Sequence, residues 1–214
     1  PLIEIMGDSF AWRFGQLRET VPRWVPTCGN NPERPACDAT ESGQRMMLVE
    51  LETWEYEWAS HVGARRYIEN WGKKDAPYYD KKRMEDDRTA QVAACVGELA
   101  VAKITNQYWS GHVWHQSVHK EYKHIPDVGN DIEVRRVRTS TSAAVRERQL
   151  GKGLTLFVVK PVAPEFRAVE ILGWIDHDEA WEKGEPSGYS EDTRVIAEEH
   201  LHPAMNYTRG DGKT

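Results

Sequence analysis

The sequence predicts an α/β (α+β) domain in which two amphipathic helices precede a mostly antiparallel β-sheet. Apolar residues recur at helical spacing as far as about residue 106. After Tyr108, short apolar or alternating segments are bounded by Gly, Pro and charged residues. Of the 214 residues, 39% are hydrophobic and 29% charged, a composition typical of a soluble globular domain rather than a disordered chain.

Residues 1–45 are predicted to form an irregular N-terminal arm, and residues 46–214 the folded domain. Proline interrupts the arm too often for a long helix, because it removes a backbone donor and clashes with the preceding turn. The sequence begins with Pro rather than Met, which leaves the natural start open. The prolines that break the arm are Pro22, Pro26, Pro32 and Pro35.

Two long helices are expected first in the domain, over residues 47–71 and 86–106. The second begins with an acidic N-cap candidate, Asp86 or Asp87. Each has one apolar stripe that is expected to face the core. The stripes are Leu48, Leu51, Trp54, Trp58, Val62 and Ile68 in the first helix, and Val92, Cys95, Val96, Leu99, Ala100 and Ile104 in the second.

Four strands and two short helices are predicted after Tyr108. The strand segments are apolar or alternating and are separated by turn residues. The strands are expected at residues 113–118, 132–137, 154–159 and 169–175, and the short helices at 178–181 and 193–199.

Cysteine usage and the lack of an export signal favour the cytoplasm. The three cysteines, Cys28, Cys37 and Cys95, form no CxxC pair, which argues against a four-cysteine zinc site or an iron–sulfur cluster. An odd count without a signal peptide favours a reducing compartment, with Cys95 as a buried thiol. No apolar run approaches bilayer-spanning length, so no membrane association is expected.

The charge distribution is uneven along the chain. The net charge is −6, and acids dominate from residue 176 to 199. A basic strip on an acidic protein is compatible with a polyanion that touches one face, and a solvated charged surface explains it about equally well. The basic strip comprises Arg135, Arg136, Arg138, Arg146, Arg148 and Lys152.

Three carboxylates and one arginine form the candidate site. Glu98 lies mid-helix among small and apolar residues, either at the helix edge in solvent, which the residue alone favours, or in a polar pocket. Asp127 precedes a Gly-Asn turn and Glu133 follows it, so a hairpin would bring them together, while Glu133 and Arg135 share one strand face. Converging carboxylates are the ligands that Mg²⁺ takes, and such an ion could bind a scissile phosphate.

These residues resemble the signature of the PD-(D/E)XK nuclease superfamily, which is a helical Glu, a Pro-Asp pair and a Glu-x-Lys strand. Glu98, Pro126-Asp127 and Glu133-Val134-Arg135 match its three parts. Residues 96–103, 127–135, 169–175 and 199–203 are similar to phage-type members. The resemblance therefore covers roughly residues 48 to 205 and omits the N-terminal arm.

The resemblance implies a central mixed sheet flanked by helices, with a restriction-endonuclease-like core. It also implies a phage-encoded or phage-derived deoxyribonuclease in the host cytoplasm that uses Mg²⁺, or Mn²⁺ in its place. By this resemblance Asp127 and Glu133 ligate the metal, Glu98 supports the metal or its water shell, and Arg135 takes the catalytic lysine position.

Arg135 departs from the family pattern. Lysine can shift its pKa and help activate water, whereas arginine stays protonated. Arg135 could instead hold a phosphate or offset transition-state charge, with the metal activating the water. The alternative function is a catalytically weakened nuclease fold that binds DNA or a protein. A homodimer is also left open.

Two further assignments keep alternatives. Asp131 competes with Asp127 as the ligand, and Asp127 is preferred because it is expected on the preceding strand, across the hairpin. Arg136, Arg138 and Thr139 are candidates for contacts with the backbone of a nucleic acid, and exposed strand residues are an equal explanation.

Histidine and tryptophan clusters offer rival hypotheses. Four histidines within residues 112–124 suggest a zinc site as one hypothesis. An H-E-x-x-H motif and nearby cysteines are missing, so these histidines are expected to be solvent-exposed instead. Tryptophans could stack on bases, but most stand at core-like positions and are assigned to packing. The histidines are His112, His115, His119 and His124, and the tryptophans are Trp54, Trp58, Trp71, Trp109, Trp114, Trp174 and Trp181.

Overall fold

The computed structural model describes residues 46–69, 87–122, 124–188 and 190–208. The chain divides between Asp38 and Ala39, and every described residue belongs to the unit that begins at Ala39. The predicted arm, with Cys28 and Cys37, lies outside the described residues, as does Trp71.

The described residues form a mixed α+β fold with two β-sheets, as the sequence predicts at that level. In chain order the elements are β1 (Met47–Glu50), α1 (Thr53–Glu69), α2 (Asp87–Thr105), α3 (His119–Tyr122), β2 (Ile132–Arg136), β3 (Ala143–Arg146), β4 (Thr155–Pro161), β5 (Ala168–Asp176), α4 (His177–Lys183), β6 (Glu185–Pro186) and β7 (Thr193–Ile196).

The larger sheet is mixed and has the strand order β1-β5-β4-β2. Strand β2 pairs with β4 in parallel, whereas β4 with β5 and β5 with β1 are antiparallel. The smaller sheet, β3-β7-β6, is antiparallel throughout. Most pairings are therefore antiparallel, as expected, and the parallel β2–β4 pair is the exception.

Strand β4 is buried on both faces because a core lies on each side of the larger sheet. Phe157 and Val159 belong to the core under α1 and α2. Leu156 and Val158 belong to the second core, which β3, β7 and α4 complete. Alternate side chains point to opposite faces, so this central strand is an unbroken apolar run.

Two glycines bring the helices close enough to build the site. A Cβ on Gly63 of α1 would lie 2.6 Å from the Val92 Cα of α2, and one on Gly97 would lie 2.7 Å from Val159 Cγ2 of β4. Real Cβ atoms do not tolerate such contacts. Glu98, next to Gly97, is buried in this closely packed region and meets Arg66 of α1.

Strand β5 pairs with the C-terminal segment. The backbone amide of Trp174 donates to His202 O at 3.0 Å and that of His202 donates back at 2.7 Å, and Trp174 Nε1 donates to Pro203 O at 3.2 Å. Gly173 makes this approach possible, because a Cβ there would lie 2.6 Å from His202 O. Residues 169–175 and 199–203, the two C-terminal segments that resemble phage-type members, therefore lie side by side.

The first helix begins later than predicted. Residues 47–50 form β1, which pairs antiparallel with β5, and α1 begins at Thr53. Pairing with a neighbouring strand overrides the helical spacing there. The stripe assigned to the core is consequently wrong in part, because Leu48 is 59% exposed, Trp54 60% and Trp58 43%.

Two later assignments are also wrong, and three short elements were not predicted. Residues 193–199 form β7 and a 3₁₀ turn instead of a helix, since Thr193 and Ile196 are buried between β3 and β6 neighbours. Residues 113–118 are irregular and end in a 3₁₀ turn instead of forming a strand, and Trp114 stacks on His112 with ring centroids 4.2 Å apart. Strands β3 and β6 and helix α3 were not predicted.

Candidate functional site

A tight turn holds Asp127 beside strand β2. Val128 and Ile132 exchange backbone hydrogen bonds of 3.1 and 3.2 Å, and the Val134 amide donates to Asp127 Oδ2 at 2.8 Å. Gly129 is favoured in this turn because its φ is +58°, a left-handed conformation that other residues adopt only with strain. Asp127 was expected on a strand but lies in a bend. The turn nevertheless brings it to β2, as the sequence predicts.

Arg135 links the two carboxylates of this turn. Its Nη1 lies 2.8 Å from Glu133 Oε2 and 4.0 Å from Asp127 Oδ2. Its Nη2 donates to Gln149 Oε1 at 2.9 Å. Glu133 and Arg135 therefore share a strand face, as predicted, and Asp127 joins them there.

Glu98 is buried in a polar pocket, so the solvent alternative does not hold. It is 5% exposed and receives both guanidinium nitrogens of Arg66, with Nη1 to Oε1 at 2.5 Å and Nη2 to Oε2 at 2.9 Å. Trp109 Nε1 also donates to Oε2 at 2.9 Å. Buried carboxylates require such partners, and here all of them are donors from the protein.

Arg66 is the site residue that the sequence did not reveal. It stands on α1 and its Nε also donates to His112 O at 2.9 Å, so it joins α1, α2 and the loop after Trp109. The sequence did contain a signal for it. Two small residues, Ala59 and Gly63, precede Arg66 at helical spacing (i−7 and i−3), and both are buried. A buried stripe of small residues indicates the side of α1 that meets another helix.

The electrostatics of the site depend on crowded negative charge. Burial raises the pKa of Asp127 well above its ordinary value, and repulsion from Glu98 and Glu133 raises it further. Arg135 and the Val134 amide act in the opposite direction without cancelling the effect. Burial lowers the pKa of Arg66, but Glu98 outweighs it, so Arg66 stays protonated.

A divalent cation fits Asp127 and Glu133 better than it fits Glu98. Asp127 Oδ1 and Glu133 Oε1 make no hydrogen bond within the described part of the chain, whereas both Glu98 oxygens are occupied. Mg²⁺ commonly uses only one or two carboxylates and keeps several waters. Among the described residues, no three His, Cys, Asp or Glu side chains already form a metal-holding group.

Asp131 and the arginines that follow the site occupy different environments. Asp131 Oδ1 is buried without a hydrogen-bond partner among the described residues, and Asp127 rather than Asp131 shares Arg135 with Glu133. Arg136 is half-buried, whereas Arg138 and Thr139 are exposed after β2 ends. The last two are accessible to a partner.

The histidines do not behave alike. His115 and His124 are exposed, as expected, and the side chain of His119 lies outside the described residues. His112 is half-buried, contacts Ser110 Oγ at 2.6 Å through Nδ1 and stacks on Trp114. Burial and the nearby Arg66 lower its pKa to about 4.

Comparison with known proteins returned no match to a protein-family model, a curated protein or a solved structure. In the part of the chain that the structure describes, no helix has both the length and the apolar character needed to cross a bilayer.

Proposed function

We propose that this protein is a Mg²⁺-dependent DNA nuclease of the PD-(D/E)XK type, encoded by or derived from a phage, that acts in the cytoplasm. Mn²⁺ is expected to support the same activity in place of Mg²⁺. In this proposal the β1-β5-β4-β2 sheet with α1 and α2 is a restriction-endonuclease-like core, and β2 carries the site at its beginning.

The observation that carries the proposal is the shared environment of Asp127 and Glu133. Both carboxylates approach one nitrogen of Arg135, and repulsion together with burial raises the pKa of Asp127. A carboxylate pair with more negative charge than its arginine balances favours a bound cation. This surplus supports a metal site better than a surface hairpin with solvated charges.

Each residue has a role that follows from its contacts. Asp127 and Glu133 would hold the ion, and Glu98, fixed by Arg66, would contribute negative potential behind them. When bound, Mg²⁺ supplies Lewis acidity toward the phosphate and lowers the pKa of a bound water. Arg135 stays protonated and can orient a phosphate oxygen or offset developing negative charge, for which its planar guanidinium is suited.

The alternative function is a DNA-binding or protein-interaction module on the same fold. One contact favours it: Arg135 Nη1 donates to Glu133 Oε2 at 2.8 Å, so the arginine already neutralises one of the two ligands. A permanently charged arginine in that position weakens the demand for a cation. The two proposals differ in whether the site cleaves DNA.

The test is cleavage of plasmid and linear DNA with Mg²⁺, Mn²⁺ or EDTA. We expect metal-dependent cleavage that falls by more than ~100-fold in Glu133→Ala, because a ligand's contribution to metal catalysis is several kcal/mol. Glu147→Gln is the matched control, since Glu147 is an exposed acid outside the site. Salt-sensitive DNA binding without cleavage supports the module. Cleavage that survives in Glu133→Ala excludes this site.

A further inference from the structure

Helix α1 exposes two indole rings beside the candidate site. Trp54 is 60% and Trp58 43% exposed, and their rings stack with centroids 6.4 Å apart and planes 19° from parallel. Large exposed aromatic groups are costly in water and mark binding surfaces more often than scattered aliphatic residues do. The core packing of the domain does not account for these rings.

The exposed rings are continuous with the site. Trp58 meets the buried Trp109 edge-on, with centroids 5.1 Å apart, and Trp109 Nε1 donates to Glu98. A row of three indoles therefore runs from the surface of α1 to the carboxylate between α1 and α2. A ligand that stacks on Trp54 and Trp58 would lie next to the proposed cleavage site.

Two polar side chains, an imidazole and a guanidinium, follow the indoles along the same helix face. The spacing i, i+4, i+7, i+11 places four residues on one stripe of α1. Arg65 is 61% exposed and its contact with Glu69 is a solvent-exposed pair, which holds the guanidinium only weakly. We call this set the α1 stripe; it consists of Trp54, Trp58, His61 and Arg65.

The α1 stripe has the chemistry of a surface for unpaired nucleotides. Bases stack on aromatic faces with little sequence preference, and phosphates pair with cationic groups. Glu57 is exposed beside the indoles and disfavours phosphate there, so phosphates are expected at the Arg65 end of the stripe, where the His61 ring can donate a hydrogen bond. A second ring stack lies in the segment that follows Trp109. Its ring centroids are 4.2 Å apart between His112 and Trp114 and 5.8 Å apart between Trp114 and Tyr122.

We infer that the α1 stripe binds the unpaired nucleotides of DNA, with bases on the two indoles and the strand leading toward the carboxylate site. The inference takes its partner from the proposed function but does not require cleavage. It names the substrate class as DNA with a single-stranded segment or a frayed end.

The test uses labelled oligonucleotides in EDTA, so that binding is measured without cleavage. The probes are oligo(dT) of about 15 nucleotides, within the site size of single-strand binders, a blunt duplex, and an abasic oligomer of equal length. We expect the wild type to prefer oligo(dT) over the abasic chain. Trp54→Ala and Trp58→Ala should each weaken oligo(dT) binding by about tenfold and leave abasic binding unchanged.

Two sets of variants control for lost apolar area and for folding. Trp54→Phe and Trp58→Phe keep a ring and should retain most of the affinity. Met205→Ala removes an equally exposed apolar side chain outside the stripe and should change nothing. Trp54→Ala should unfold near the temperature of the wild type, since its ring is exposed. Trp58→Ala also loses the edge contact with Trp109, so its binding is measured well below its own unfolding temperature and compared with Trp58→Phe.

The outcomes separate this inference from the proposed function. Tryptophan-dependent binding of oligo(dT) without metal-dependent cleavage supports nucleotide binding by the α1 stripe and rejects the proposed nuclease activity. Metal-dependent cleavage with equal binding of oligo(dT) and abasic chain, or with unchanged affinity in both alanine variants, overturns the stripe and leaves the nuclease. Alanine variants that bind DNA normally but turn a dimer into a monomer in sedimentation assign the rings to a second copy and overturn the inference.

Discussion

Arg66 and Glu98 form a bidentate ion pair across α1 and α2, with N–O distances of 2.5 and 2.9 Å and side chains only 13% and 6% exposed. Both guanidinium nitrogens and both carboxylate oxygens are used. The pair therefore connects the two helices at Glu98, the carboxylate that α2 contributes to the candidate site.

Loss of Arg66 should strongly destabilise the protein. Arg66→Gln leaves Glu98 buried without its counter-charge, and broken buried pairs typically cost about 3–5 kcal/mol. We expect the free energy of unfolding, from urea denaturation, to fall by that order. Arg65→Gln is the matched control, because it removes the adjacent, exposed pair with Glu69 and should cost less than ~0.5 kcal/mol. Equal losses in the two variants would contradict a structural role for the buried pair.

Asp127→Asn should stabilise the metal-free protein while it removes metal binding. A carboxyl whose pKa is raised in the fold binds more protons in the native state than in the unfolded chain. Stability therefore falls as pH rises from the ordinary value of 3.8 through the raised one. Asparagine keeps an oxygen for the Val134 amide and carries no charge, so Tm at pH 7 should increase.

Magnesium titration separates the two effects of the Asp127 substitution. Mg²⁺ should raise the Tm of the wild type, since a ligand that binds only the native state stabilises it, and should not raise that of Asp127→Asn. Asp131→Asn serves as the control, because Asp131 makes no contact with Arg135 in the described structure. A magnesium response that disappears in Asp131→Asn alone would reassign the ligand to Asp131.

Substitution of Arg135 should reveal whether a lysine-like function operates. Arg135→Lys keeps a cation near Glu133 but loses the contact with Gln149, at a cost of about 1 kcal/mol in stability. We expect it to retain cleavage and to gain a rise in rate with pH, because lysine can deprotonate and arginine cannot. Arg135→Gln should lose about 100-fold in rate. Wild-type cleavage by the glutamine variant would exclude a catalytic role for this position.

The sequence predicted the parts of the site that are local in the chain. Asp127, Glu133 and Arg135 lie within nine positions, and strand alternation and a Gly-Asn turn suffice to bring them together. Arg66 could not be assigned in this way, because its partner Glu98 is 32 residues away and meets it only when α1 packs on α2. Contacts of that kind depend on which helix faces meet.

The fold shows the same distinction. Strands β2, β4 and β5 were predictable because each contains β-branched residues, and most residues of each strand are buried. Strand β1 and helix α1 were merged, since Met47 to Trp58 keeps a helical period although pairing with β5 claims the first four residues. The buried residues of α1 are the small Ala59 and Gly63 and the charged Glu55, so a count of large apolar residues passes over this face.

We expect the buried ring of His177 to make the stability of the protein sensitive to acid. It is 1% exposed, and neither ring nitrogen has a hydrogen-bond partner among the described residues. Burial, with Arg135 nearby, lowers its pKa from 6.5, so the native state binds fewer protons than the unfolded chain. Stability conferred by the neutral ring is therefore present above pH 6.5 and is lost as the pH falls below it.

His177→Leu should increase stability and flatten its acid dependence. The substitution removes two buried polar atoms that lack partners, each of which costs about 1–3 kcal/mol, and it removes the titration. We expect a higher urea midpoint at pH 7 and a larger difference from the wild type at pH 5. The remaining acid dependence should come from His112, whose pKa is about 4, and from Asp127, whose raised pKa acts in the opposite direction. His200→Leu, at an exposed histidine, should leave the pH profile unchanged, and a His177 variant with the wild-type profile would show that this ring is not what acid titrates.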